Sequence, residues 1–312
     1  MTFDTLSTLA SQNIPFLFYT DFKGEKLHVY PLNNLINHGI EYAINKTPIL
    51  KHKKIELEKN PISYQKYKIK FDKIISKIEA GETYLLNLTQ PTEIKTNLSL
   101  DEIFQTSQAT YKLHVKNKFV CFSPEPFITI EENTISTYPM KGTIDASIRD
   151  AEKKILSDKK EMAEHVMVVD LLRNDIAIVA KNIEVEKFRF VQKINAGNKE
   201  LLQVSSKIKG TLQNNWKNNL GNIIKTLLPA GSISGTPKLS TLRIIEDTEE
   251  YNRDYYTGVF GVFDGKKLET SVMIRFIEID GNKLIYKSGG GITLDSNSKE
   301  EYQELIDKVY IP

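Results

Sequence analysis

Lys141 lies between two backbone punctuators in Thr137-Tyr138-Pro139-Met140-Lys141-Gly142-Thr143. Pro139 fixes its own φ and pushes Tyr138 toward an extended conformation. Gly142 removes a side chain just after the lysine, so backbone can approach a ligand closely. The strand-like run Thr134-Ile135-Ser136-Thr137 leads in, and the spacing predicts a single ammonium at a strand end beside exposed backbone donors. Such a lysine serves as an electrostatic clamp or, once desolvated, as a nucleophile. The competing reading is a solvated loop lysine, the usual fate of this residue type.

Two carboxylate pairs suggest metal chemistry. Glu161 and Glu164 are three residues apart and share a helix face that Val168 and Leu172 continue, which is not the pattern of a solvated surface. Glu301 and Glu304 repeat the device, continued by Lys308. Four carboxylates from two helices suit a hard divalent cation, and magnesium takes oxygen ligands while keeping water and a substrate oxygen in its shell. The alternative is solvated charge on both helices. Arg275, in Ser271-Val272-Met273-Ile274-Arg275, reads as a strand residue among apolar neighbours, where an inward arginine needs a carboxylate partner.

Two glycine segments add backbone donors. Residues 228–238, including Gly231-Ser232-Ile233-Ser234-Gly235, read as a loop entering a helix near Pro237, where free amides suit an anionic group. Ser288-Gly289-Gly290-Gly291 precedes the second carboxylate helix and permits close backbone approach to a ligand; a tight turn is the plainer reading of either segment. Neither matches a phosphate loop or a dinucleotide fingerprint, which disfavours nucleotide binding.

The elements that must position these groups read as mixed α and β. A helix is expected from Ser63 to Ala80, with Tyr67, Phe71, Ile74, Ile75 and Ile78 on its apolar face and Gly81 ending it. Ser99-Leu100-Asp101-Glu102 fits a capping box, and Asp158 with Glu161 resembles another helix start over 159–173. Further helices are expected at 217–228, 237–247 and 299–310. Strands are expected at 16–19, 27–30, 84–89, 118–122, 126–130, 133–138, 256–263, 270–279 and 283–288. Paired strands separated by helices favour α+β over a doubly wound sheet. The chain reads as one domain, 1–312, with residues 1–60 its less regular part.

The 312 residues carry a net charge of +2, with 40% hydrophobic and 26% charged residues, an ordinary globular mixture without a nucleic-acid footprint. The run Lys51-His52-Lys53-Lys54, followed by Glu56 and Glu58, reads as a solvated connector. Cys121, the only cysteine, lies in an apolar run and reads as a buried small residue; with no disulfide to form, a reducing compartment is expected. No signal peptide or membrane span is evident, so a cytoplasmic location is expected.

Taken in order, Ser123-Pro124-Glu125, Pro139-Met140-Lys141-Gly142-Thr143, residues 163–175, Gly231-Ser232-Ile233-Ser234-Gly235-Thr236-Pro237-Lys238, Tyr256-Thr257-Gly258, Ile274-Arg275, Gly289-Gly290-Gly291 and Glu301-x-x-Glu304-x-x-x-Lys308 resemble the chorismate-utilising enzymes. These include component I of anthranilate and aminodeoxychorismate synthases and the isochorismate and salicylate synthases. The resemblance runs from about residue 63 to the C-terminus. It implies a large α+β sandwich of two packed sheets with outer helices. It also implies Mg²⁺ on Glu164 and Glu304, supported by Glu161 and Glu301, and chorismate bound by Gly142, Thr143, Ser234, Gly235, Tyr256, Arg275, Gly290, Gly291 and Lys308. Glu125 corresponds to the general acid for the departing C4 hydroxyl.

Two positions separate the branches of that family. The hydrating enzymes carry a water-activating lysine where this chain has Leu85, and a leucine cannot take a proton. Lys141 occupies a position that is commonly alanine in anthranilate synthases and lysine in aminodeoxychorismate synthases, where it is thought to attack C2. The resemblance therefore implies amination of chorismate to 4-amino-4-deoxychorismate, on the route to 4-aminobenzoate and folate, with ammonia from a separate glutamine amidotransferase subunit. Anthranilate synthase component I is the alternative enzyme, and a degenerate chorismate-binding or partner-regulating protein the non-enzyme alternative. The chain departs from the pattern at Gln203, where a histidine is usual, and at Ile144, where an arginine is usual. The Leu-Leu-Glu-Ser element of the tryptophan pocket is not visible, so tryptophan feedback is not expected.

Overall fold

A computed structural model describes residues 1–46, 55–196 and 199–312; the basic run at 51–54 lies outside the described residues. The described residues form two antiparallel sheets of nine and eight strands. The first runs in the order Met140–Asp145, Lys199–Thr211, Thr134–Thr137, Pro126–Glu131, Leu268–Val272, Val259–Phe263, Phe16–Thr20 and His28–Pro31, with Lys181–Ala196 paired along Lys199–Thr211. The second runs Gly235–Thr236, Leu85–Thr96, Lys283–Ile292, Phe276–Asp280, Phe119–Ser123, Tyr111–Val115 and Ile40–Ile44, with Leu57–Asn60 along Leu85–Thr96.

Strand periodicity explains how the sheets stack. Every residue of Phe16–Thr20 is buried. Alternate side chains face opposite ways, so Leu17 and Tyr19 pack with Leu113, Phe119, Phe260 and Phe276 between the sheets. Phe16 and Phe18 point to the other face, under the helices Asp4–Ser11 and Leu220–Leu227. The second sheet is covered by Tyr64–Glu79, Lys238–Glu249 and Ser298–Asp307. Tyr67, Phe71, Ile74 and Ile78 pack there on Leu86, Leu88, Ile244 and Leu305, the face expected from the sequence. Cys121 is fully buried. Among the described residues no helix is long and apolar enough to cross a membrane.

Several expectations need correcting. Before the expected strands near 16–19 and 27–30, which form as Phe16–Thr20 and His28–Pro31, the chain adds a helix, Asp4–Ser11, that was not expected. The strand expected over 270–279 is two strands in different sheets, broken at Met273-Ile274-Arg275. Arg275 is therefore not a strand residue, and its φ of 52° lies in the left-handed region. The three glycines are not a turn but the end of the Lys283–Ile292 strand. Lys141 lies within a strand, Met140–Asp145, rather than beyond a strand end. The long hairpin of Lys181–Ala196 and Lys199–Thr211 had no counterpart in the sequence reading.

The break at Arg275 matters because it is a crossover. The chain leaves the second sheet at Ser123 and enters the first at Pro126; it leaves the first at Val272 and re-enters the second at Phe276. The two crossovers run side by side. Ser271 Oγ and Val272 N donate to the Glu125 carbonyl at 2.8 and 3.3 Å, and Phe122 N donates to the Arg275 carbonyl at 3.1 Å.

Candidate active site

A cavity of about 470 Å³ opens at these crossovers. Glu125, Lys141, Gly142, Thr143, Glu161, Glu164, Gln203, Arg275, Gly291, Glu301, Glu304 and Lys308 line it. Four carboxylates on two helices thus meet the strand carrying Lys141 and both crossovers.

Lys141 is aimed by an irregularity. Its strand pairs Met140 with Ser205 and Thr143 with Gln203, and the register shifts between those pairs. Such a bulge re-aims the side chains it carries. Gly142 has a φ of 90°, and a Cβ there would sit 3.0 Å from Glu161 Oε2. Lys141 Nζ lies 2.7 Å from Glu164 Oε2. Burial works to lower the lysine's pKa, but Glu164, reinforced by Glu304 and Glu161, outweighs it and leaves the pKa raised. In this arrangement Lys141 is an ammonium ion, suited to clamping an anion rather than attacking carbon.

The carboxylates are placed by capped helices. Asp158 Oδ1 accepts from Glu161 N at 3.0 Å at the start of Lys159–Val179, and Asn297 Oδ1 accepts from Lys299 N at 3.0 Å at the start of Ser298–Asp307. Ser296 Oγ donates to Glu301 Oε1 at 2.8 Å. Burial raises the pKa of Glu161 and of Glu301. Burial acts the same way on Glu304, but Lys308, 2.5 Å from its Oε1, outweighs it and holds the carboxyl below its usual range.

A hard divalent cation fits this donor set. Glu161 Oε2 is buried without a partner. Gly290 forms a cradle that a Cβ would fill, 3.3 Å from Glu301 Oε2 and 3.6 Å from Glu304 Oε1. The one described group of three metal-ligating side chains drawn within 4.8 Å of one another is Glu41, Asp101 and His114, on another part of the fold. A cation among the four cavity glutamates would therefore complete its shell with water and substrate oxygens, as magnesium commonly does.

Glu125 is fixed at backbone and side chain. Its N donates to Ser123 Oγ at 3.1 Å, and its Oε1 accepts from Ser232 Oγ. Burial raises its pKa; Ser232, Lys308 and Arg275 oppose the rise without cancelling it. Arg275 has no carboxylate partner among the described residues, contrary to expectation. Its Nε donates to Tyr310 OH at 3.3 Å and its guanidinium lies 5.2 Å from the Tyr310 ring centroid. An aromatic platform satisfies the cation while leaving it available to an anionic ligand. Lys308 Nζ donates to the Gly289 carbonyl at 2.9 Å. A Cβ at Gly291 would lie 3.8 Å from Lys141 Nζ and 3.1 Å from Leu85 Cδ1, so the leucine approaches the cavity wall beside the lysine.

Three expected ligand contacts do not line the cavity. Ser234 is buried and its Oγ donates to the Ala230 carbonyl at 2.9 Å. Gly235 packs on Leu85, where a Cβ would fall 1.9 Å from the carbonyl oxygen. Tyr256 lies in the core between the sheets. Gly290 borders the cavity through its glutamate contacts. The residue missed is Ser232. The one-turn helix Gly231–Ser234 points its two serines in different directions, and only the turn's geometry shows which one reaches Glu125.

Among the described residues, two packed antiparallel sheets with outer helices and a cavity at their crossovers lined by both carboxylates and cationic side chains define an α+β sandwich. The chain belongs to the chorismate-binding enzyme family, whose model matches residues 26–311. It is 50% identical to an uncharacterized PabA-like protein of Pasteurella multocida, over 96% of this chain and 95% of that protein. It is 29% identical to aminodeoxychorismate synthase component 1 of Bacillus subtilis, over 77% of this chain but 53% of that one, about half the relative's length. Among solved structures, anthranilate synthase component I from Streptococcus pneumoniae superposes with a TM-score of 0.70 at 25% identity, over 81% of this chain and 58% of that one.

Proposed function

We propose that this chain is an aminodeoxychorismate synthase of the component I type, converting chorismate and ammonia to 4-amino-4-deoxychorismate and water. The observation that carries the reading is the pairing of Lys141 and Glu125 in one cavity, with leucine at position 85. The family supplies chorismate as the ligand; the cavity residues support the choice of nucleophile.

Chorismate is a dicarboxylate, and Arg275, Lys308 and Lys141 supply three cations to receive it. Glu164 and Glu304, with Glu161 and Glu301 beside them, would hold magnesium, which when bound polarises the ring carboxylate and the conjugated system behind it. Glu125, its pKa raised by burial, holds a proton for the departing C4 hydroxyl. Leu85 offers no base to a water at the same wall, which leaves ammonia as the incoming group. In the covalent route the neutral Lys141 amine attacks C2 as the C4 hydroxyl leaves; ammonia then adds at C4 and expels the lysine, two displacements giving net retention. In the ammonium form, Lys141 acts by electrostatics alone.

Ammonia would come from a glutamine amidotransferase partner. Ammonium salts should therefore support turnover by the isolated chain, and glutamine should not until that partner is added. The test follows chorismate loss and pyruvate release together. Chorismate consumed only when ammonium accompanies magnesium, without matching pyruvate, supports amination; consumption without ammonium supports hydration, and equimolar pyruvate supports anthranilate formation instead.

A further inference from the structure

Ser232 meets Glu125 from a turn that is fixed independently of that contact. Arg253 Nη1 donates to the Ile233 carbonyl at 2.9 Å. The guanidinium is itself locked, donating to both Glu249 oxygens at 2.8 and 2.7 Å and to the Asn87 carbonyl at 2.6 Å. Gly231 closes the turn from below, since a Cβ there would fall 2.7 Å from Asp175 Oδ2, and Asp175 is paired with Lys238 at 3.1 Å. Glu125 is pinned just as firmly by Ser123, Ser271 and Val272. A hydroxyl and a carboxyl on two locked backbones form a preorganised pair.

We propose that Ser232 is a positioning residue for the reaction: its hydroxyl, donating to Glu125 Oε1, reserves Oε2 as the oxygen that carries the transferable proton and aims it into the cavity. A protonated carboxyl has a single O–H, so an oxygen already accepting from a donor leaves the proton to the other. The same hydroxyl stabilises the carboxylate left after proton transfer. The inference rests on reading Glu125 as the general acid. The other charged groups facing Glu125 are Arg275 from the second crossover and Lys308 from the end of the C-terminal helix, both cations. Both persist when Ser232 is removed, so its loss moves the carboxyl in one direction, toward holding its proton more tightly.

The experiment compares Ser232→Ala and Ser232→Thr with the unmodified full chain by two readouts. In steady-state amination, Ser232→Ala lowers kcat roughly 10- to 100-fold and leaves KM within about threefold, while Ser232→Thr keeps most of the activity. In protein labelled with ¹³C at glutamate carboxyls, with Glu125 assigned by Glu125→Gln, Ser232→Ala raises the Glu125 pKa by at least about half a unit and Ser232→Thr does not. A folded Ser232→Ala that leaves either kcat or that pKa unchanged overturns the proposal. If Ser232→Ala does not fold, Ser232→Cys replaces it: a weak donor of similar size that matches the unmodified chain in both readouts overturns it equally. The titration needs no turnover, so the failure of amination as the function is distinguishable from the failure of the Ser232 contact.

Discussion

Lys141 and Glu164 face each other at 2.7 Å, and that ion pair governs what the lysine can do. Removing the ammonium from the cavity in Lys141→Ala should cost roughly 10²–10³ in amination rate, read as initial velocity at saturating ammonium. Full activity in that variant would exclude both the covalent and the electrostatic role. Gly142 has the opposite dependence, on having no side chain: its φ of 90° and the 3.0 Å gap to Glu161 Oε2 both reject a Cβ. Gly142→Ala should lose activity and about 1–2 kcal/mol of stability, measured by urea unfolding. Gln203 lines the cavity with its Oε1 buried and unpaired, so it can accept from a ligand but cannot take up a proton at neutral pH. The four glutamates stood out as paired charge at helical spacing, and Lys141 stood out between Pro139 and Gly142, but it was the resemblance that joined them into one site. Ser232 was not, because two serines two residues apart look alike until the turn is built.

The elements differ in how openly the sequence announces them. Helices with caps and apolar stripes were readable: Ser99 and Glu102 form the reciprocal capping box, and Asp158 caps the carboxylate helix. The Lys181–Ala196 strand was missed although Ile183 and Val185, then Phe188 and Phe190, alternate with polar residues; the alternation slips by one residue between Val185 and Phe188, where the ladder also shifts register. The crossover at 273–275 was hidden for a different reason. Met273 is buried on either reading, and nothing local indicates that Arg275 takes a left-handed backbone. The prediction at this scale concerns the brace between helix Lys238–Glu249, strand Leu85–Thr96 and the Ser232 turn. Arg253 and Glu249 are each only 2% exposed. Arg253→Met leaves a buried carboxylate uncompensated and should cost about 3–5 kcal/mol, read in equilibrium unfolding. An unchanged midpoint would mean that the pair does not tie these elements together.

At the scale of the whole molecule, a cavity opens where the chain crosses between the two sheets, and the acid it holds sets a pH dependence. Burial raises the Glu125 pKa above the ordinary carboxylate range. The acid must be protonated to act, so kcat should be full below that raised pKa and fall as pH rises through it. Glu125→Gln should remove this limb of the profile along with most of the activity; a limb unchanged in residual turnover would assign the acid elsewhere. The sandwich was legible only through resemblance, since strand order depends on pairings far apart in sequence, such as Phe16–Thr20 beside Val259–Phe263. The central claim is the identity of the nucleophile and the fate of the side chain. The direct measurement incubates the chain with chorismate, Mg²⁺ and ¹⁵N-ammonium and identifies the product by mass spectrometry. The account predicts 4-amino-4-deoxychorismate carrying one ¹⁵N with the enolpyruvyl group retained. Labelled anthranilate with free pyruvate, or isochorismate without label, would contradict it.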